Sequence, residues 1–307
     1  MSENNTNKTL PLLVDTCLPF QIEGQDIKGR IVRLGPAVNE ILKKHNYPDH
    51  VSKLMGETLS FTAMIGSLMK YDGILTTQIK GGGPFRVLVS NFYKSDHNMG
   101  GDIRGYASFD DVMKEGDSLE DMFGEKGYLA ITIEQGQFME HYQGIVKLEG
   151  ENLTSATIEY FRSSEQLPTK VMLACEKDQN GYWQAAAIMI QHYARTAEDE
   201  QARDDVETED HWNTAAILLG SLKSSELLDN SLSLQNLLIR LYHESGIRIF
   251  DHTIISAGCC CSEEKIRTAL TSLDLQELQD VADDGTITVT CDFCTKDHKF
   301  ELAKLLH

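Results

Sequence analysis

Five of the seven cysteines in this 307-residue chain lie close to its C-terminal end, and they constrain the fold more than any other feature. Cys259 and Cys261 form a CxC pair, Cys291 and Cys294 form a CxxC pair, and Cys260 stands inside the first. Four sulfurs in two close pairs are the donor set of one tetrahedral zinc ion, held at about 2.3 Å per Zn–S bond. In an extended backbone, residues two apart point to the same side. Cys259 and Cys261 therefore share a metal, and Cys260 points away as a spare thiol. His298, four residues past Cys294, is a substitute ligand held in reserve, in a turn rich in Lys and Asp.

The segment between the two pairs predicts a small module. A helix is expected over 262–271, with Ser262 as N-cap and Glu263 and Glu264 in its first turn. A second helix is expected over 274–281, and a strand over 286–290 leads into CxxC. So few residues hardly bury an adequate core unaided. Metal binding then supplies much of the folding free energy, on the order of 10 kcal/mol, and its removal unfolds the module. Thiolates are also the species that oxidants attack. A disulfide within CxC closes a very small ring, is strained, and is easily reduced again. Two readings stand side by side: a static zinc module on an adaptor, or a reversible redox switch.

Charge narrows the partners. A formal net charge of -19 argues against nucleic acid, because phosphate binding rests on clustered Lys and Arg. Hydrophobic residues make up 41% of the chain, enough for a sizeable core. The most apolar window, 54–69, is interrupted by Glu57 and is too short to span a bilayer, so no membrane partner is expected. The polar residues 1–7 show no secretory pattern, which places the chain in the cytosol, where thiols persist as metal ligands.

Taken in order, the chain predicts a strand over 27–34, a helix opened by Pro36 and ending about His45, and a second helix from Pro48 with one apolar face (Leu54, Met55, Phe61, Ile65, Leu68). Residues 74–80 and 85–91 form a hairpin across Gly81-Gly82-Gly83-Pro84, a run without the Gly-Lys-Ser/Thr ending of a phosphate loop. Strands follow at 103–108, 128–134 and 142–148, a helix at 151–163, and strands at 170–176 and 183–191. Cys17 and Cys175 are isolated and expected in the core. Residues 196–210 are acidic and nearly free of large apolar side chains, a solvated boundary, and amphipathic helices follow at 212–228 and 234–243. The fold class is thus α+β. It comprises an N-terminal α/β core domain with a largely antiparallel sheet (1–195), an acidic and helical linker (196–250) and a small C-terminal zinc-binding domain (251–307), which is a redox-switch domain on the second of the two readings. No HExxH, nucleophile elbow or phosphate loop is present. Ser262-Glu263-Glu264-Lys265 matches SxxK only incidentally. Cys291 and Cys294 lack the strand-CxxC-helix context of a thiol oxidoreductase, and no enzyme is expected.

Several stretches resemble the heat-shock protein 33 family of redox-regulated holdase chaperones, in that family's order. They are Tyr71-Asp72-Gly73, Gly81 to Pro84, Arg104-Gly105, Tyr142-Gln143-Gly144, Tyr160-Phe161 with Ser164-Glu165-Gln166-Leu167-Pro168-Thr169, and Leu241-Tyr242-His243-Glu244, alongside the cysteine pairs. The resemblance covers nearly the whole chain. It implies zinc on Cys259, Cys261, Cys291 and Cys294 in a reduced, inactive monomer. It further implies disulfides Cys259 with Cys261 and Cys291 with Cys294 on oxidation, zinc release, dimerisation, and binding of unfolded or aggregation-prone client proteins. Cys260 departs from the family pattern and leaves the first pairing open.

Overall fold

The computed structural model describes residues 15–70, 72–94, 100–110, 116–135, 141–193 and 205–305. The first part of the acidic run, 196–204, Tyr71 and the polar residues 1–7 lie outside them.

Strands β1 (Thr16–Ile22) and β2 (Ile27–Leu34) form a hairpin, registered from Thr16 opposite Arg33 to Ile22 opposite Ile27. Pro36 opens α1 (Pro36–His45) as expected. The orphan N–H groups of its first turn are answered from outside the helix: the buried Asp15 carboxylate accepts from Gly35 N at 2.5 Å and Ala37 N at 2.7 Å. Asn46 ends the helix in the left-handed region, at φ 50°.

Helix α2 (Asp49–Gly66) differs from its sequence pattern. One apolar face was expected, yet every residue from 51 to 66 except Lys53 and Glu57 is buried. The reason is its place, enclosed by strands on several sides. Its hydroxyls survive burial by bonding back along the helix, Thr58 Oγ1 to Leu54 O at 2.8 Å and Thr62 Oγ1 to Thr58 O at 2.7 Å. Gly66 leaves room for the Phe92 ring, which a Cβ there would meet at 2.4 Å.

The remaining elements follow in order. They are β3 (Gly73–Lys80), β4 (Phe85–Lys94), β5 (Gly101–Phe109), α3 (Leu119–Phe123), β6 (Tyr128–Gln135), β7 (Tyr142–Lys147), α4 (Leu153–Tyr160) running into a π turn (Phe161–Glu165), β8 (Thr169–Lys177) and β9 (Trp183–His192). Next come α5 (Asp205–Ser221), α6 (Ser224–Leu227), α7 (Leu234–Tyr242), β10 (Ile247–Ile249) and β11 (Thr253–Ala257). The chain closes with α8 (Glu263–Leu270), α9 (Leu275–Val281), β12 (Thr286–Thr290), β13 (Asp297–Glu301) and α10 (Leu302–Leu305).

One curled sheet has the order β7-β6-β3-β4-β5-β11-β1-β2-β9-β8, with β10 also on β1. It is antiparallel throughout except between β11 and β5. The fold class is α+β, as the sequence indicates. Strands β1, β10, β11 and β13 were not legible in the sequence, and the helix placed at 212–228 is instead α5 followed by the single turn α6.

Three apolar clusters result. Helices α1, α2 and α4 pack on one side of the sheet around Met55, Phe61, Phe92 and Tyr160, and Cys17 and Cys175 are fully buried among them. On the other side, Leu18, Phe20, Ile31, Ile188 and Ile190 of the sheet meet Leu219, Leu227, Leu237 and Tyr242 of α5–α7. Arg33 of β2 fastens this helical layer: Nε and Nη2 donate to Leu227 O at 3.1 and 2.8 Å, and Nη1 donates to Leu232 O at 2.8 Å. The third cluster has only Leu270, Leu278, Ile287, Phe300 and Leu305 fully inside. Among the described residues no helix is long and apolar enough to cross a membrane.

Candidate metal centre

The CxC pair continues directly from a strand of the sheet. β11 ends at Ala257, Gly258 N donates to Ile103 O at 3.0 Å, and Cys259 follows. A Cβ on Gly258 would meet Asp102 Cβ at 2.7 Å, so only glycine lets the chain pass β5 this closely. Ser262 then caps α8, accepting from Lys265 N at 3.2 Å, which fixes the chain on the far side of the pair. The CxxC pair sits at the open end of the β12–β13 hairpin. Cys291 N donates to Lys296 O at 3.0 Å and Thr295 N to Cys291 O at 2.8 Å, closing a knuckle with Thr295 in the left-handed region at φ 58°. Thr290 Oγ1 donates to Asp297 Oδ1 at 2.6 Å beneath it.

These two supports bring Cys259, Cys261, Cys291 and Cys294 together, with the four Sγ atoms all within 4.8 Å of one another. Cys259 Sγ lies 3.8 Å from Cys291 Sγ, and Cys261 Sγ lies 3.5 Å from Cys294 Sγ. A tetrahedral Zn–S distance of about 2.3 Å requires sulfurs about 3.8 Å apart. The donor set fits a zinc ion. Cys260 is not in the cluster; its thiol meets the Tyr93 hydroxyl, and Lys265 Nζ donates to Cys260 O at 3.2 Å. His298 is also outside it: 3% exposed within the module, with neither ring nitrogen hydrogen-bonded.

The electrostatics call for a cation. Burial raises the Cys259 thiol, but Cys261 N–H, the Arg104 guanidinium and the neighbouring thiols outweigh it and bring it down to about 7. Burial and then the adjacent sulfurs push Cys261 well up, and burial also leads the upward shift of Cys294. Four thiolates this close do not ionise together without a compensating charge, and a divalent ion inverts that logic.

Residues far away in sequence hold the knuckle against the sheet. Arg104 of β5 donates from Nη1 to Cys259 Sγ at 3.5 Å and from Nε to Asn91 Oδ1 at 3.0 Å. Its guanidinium carbon lies 3.8 Å from the Phe293 ring centroid and 4.7 Å from that of Tyr93. Tyr106 meets Phe293 edge-on at 4.8 Å. His45 Nε2 pairs with Phe293 O at 3.2 Å, its ring stacked on Tyr47, and burial lowers its pKa. The basic residues nearest the cysteines in sequence are Lys265, Arg267, Lys296 and Lys299. The cation that touches a ligand sulfur is Arg104, signalled in the sequence only by the Arg104-Gly105 pair.

A mixed α/β domain with a curled, largely antiparallel sheet and a C-terminal four-thiol centre is the class of protein these observations define. The family model described as Hsp33 protein matches residues 15–301, and the chain belongs to the Hsp33 family. A relative from Caulobacter vibrioides, named 33 kDa chaperonin, is 36% identical over 301 residues, covering 94% of this chain and 96% of its own. One of the same name from Proteus mirabilis is 33% identical, covering 91% of each chain. The crystal structure of the 33 kDa chaperonin from Thermotoga maritima matches with a TM-score of 0.75 at 22% identity, over 95% of this chain and 98% of that one. That likeness extends the fold to its whole length.

Proposed function

We propose that this chain is a holdase chaperone of the cytosol, inactive while its four thiols are reduced and bound to zinc, and activated by oxidation. The chaperone role follows from the family and from the relatives named 33 kDa chaperonin. The observation that carries the redox reading is the cluster of four sulfurs within 4.8 Å, tied to the core sheet at one end and to a barely cored module at the other.

Bound to Cys259, Cys261, Cys291 and Cys294, zinc neutralises thiolate charge and ties the CxC segment to the hairpin. Peroxide takes two electrons from the Cys259 and Cys261 thiolates, which form one S–S bond, and with two protons from solvent it becomes two waters. Cys291 and Cys294 react with a second equivalent in the same way. Each pair closes to about 2.05 Å, and its sulfurs cease to be ligands. The module of 251–307 then keeps only its small apolar cluster and loses its fold. Helices α5–α7 are next in the chain, and their departure uncovers the sheet face around Phe20, Ile31 and Ile188. Unfolding client proteins bind the uncovered surface, and the oxidised chain dimerises where the reduced one is a monomer.

The test measures zinc content, free thiols and suppression of thermal aggregation, before and after peroxide. Oxidation should lose four thiols, release one zinc and switch suppression on. Retained zinc in mild peroxide would leave a static zinc module on an adaptor; equal suppression by the reduced form would reject redox control.

A further inference from the structure

Strand β11 is the narrowest join in the sheet. On one side stand β7-β6-β3-β4-β5 and on the other β1-β2-β9-β8, and among the described residues β11 alone links them. Its ladders are short. It pairs with β5 at Ile255 opposite Gly101, Ser256 opposite Asp102 and Ala257 opposite Ile103, and with β1 at Ile254 opposite Thr16 and Thr253 opposite Cys17. One of its side chains is fully buried: Ile255 is 2% exposed, Ala257 is partly buried against the same core, and Ile254 is 48% exposed. The strand that closes the sheet is also the strand from which the CxC pair emerges.

The rest of the outer edge of β5 is covered by the cysteine module and by Tyr47. Phe293 lies over Arg104 and Tyr106, and the Tyr47 hydroxyl accepts from Ala107 N at 2.8 Å. Loss of the module's fold removes Phe293 and leaves β11 as a loose end held by a few backbone bonds, Ile255 and the partly buried Ala257. The chain entropy regained by the freed segment opposes so short a ladder.

We propose that activation withdraws β11, and that an extended segment of the unfolded client takes its place between β5 and β1 as a replacement strand. This rests on the redox-chaperone reading above and specifies where its client lies. An open strand edge presents unpaired N–H and C=O groups along its length. Pairing through them is indifferent to sequence, while side-chain sockets add preference. The socket left by Ile255 takes a β-branched or aromatic residue. Arg104, relieved of Phe293, favours an aromatic or acidic residue on the opposite face.

The experiment follows hydrogen exchange in the full chain, reduced with zinc and after peroxide, using reduced and carboxymethylated α-lactalbumin as the unfolded probe. Oxidation should speed exchange of the β5 and β1 amides facing the seam by about tenfold or more, while the β2–β9 pair stays protected. Adding the probe should restore protection. A seam that stays protected in an oxidised chain that suppresses aggregation, or one that stays open with the probe bound, overturns the proposal. A second variant separates this from the redox reading: Ile255→Asp should open the seam with all thiols reduced and capture the probe without peroxide. If that variant keeps β2–β9 protected and captures nothing, the slot is not the client site. If it captures the probe while the wild-type chain never responds to peroxide, the slot stands and the redox reading falls.

Discussion

At the scale of the residue, Phe293 converts the shape of a metal knuckle into contact with a distant strand. Its position between Cys291 and Cys294 means that any change in the knuckle turns its ring relative to Arg104. A guanidinium on an aromatic face contributes about 1 to 2 kcal/mol where partly desolvated. Phe293→Leu should therefore speed exchange of the amides of 291–296 about tenfold in the reduced, zinc-loaded chain, with zinc still bound. Phe293→Tyr, which keeps a ring face, should restore protection; if leucine protects as well as tyrosine, bulk and not the ring is what holds. Glu57 makes a separate prediction. Burial, only partly offset by Lys53, raises its pKa from 4.5 to about 7. The folded state thus holds the proton more tightly than the unfolded one, so the contribution of Glu57 to stability is greatest below pH 4.5 and is lost as pH rises through about 7. Glu57→Gln should stabilise the chain by on the order of 1 to 3 kcal/mol at pH 8 and by nothing near pH 4, read from thermal unfolding across pH. The four clustered cysteines were legible because spacings of two and three residues are local properties. Arg104 and Phe293 were not, because a stacked contact across the fold leaves no periodic mark.

At the scale of the element, the helical layer α5–α7 is held by apolar packing and by one buried cation. Arg33 is 8% exposed and gives its donors to two carbonyls at the ends of α6 and of the turn after it. Hydrogen bonds to charged groups contribute about 1.5 to 3 kcal/mol. Arg33→Leu should loosen α6 and α7 by about that much, seen as faster exchange there with β1 and β2 unchanged; a global loss of protection would place Arg33 in the core instead. Elements with strong internal pattern were readable: the β3–β4 hairpin announced itself by its glycine turn, and α1 by Pro36. The missed strands share a cause. β10 and β11 are short and take their structure from neighbours remote in sequence, and β1 carries Pro19. β13 does alternate, with His298 and Phe300 inward, but its Asp and Lys residues read as a turn. The all-round burial of α2 was hidden because serines, threonines and glycines fill positions that a periodic reading assigns to solvent.

At the scale of the whole molecule, charge and topology act together. The net charge of -19 makes copies of the chain repel one another at long range. The sheet is antiparallel on both sides, with β2 paired to the distant β9, and a single parallel crossing in its middle recruits a strand from near the end of the chain. Contacts of long sequence separation form slowly, because the intervening loop must close first. A ribosome therefore delivers both half-sheets before it delivers β11. The newborn chain passes through a period with the seam unfilled, and that period ends only once β11 has been made and has paired with β5 and β1.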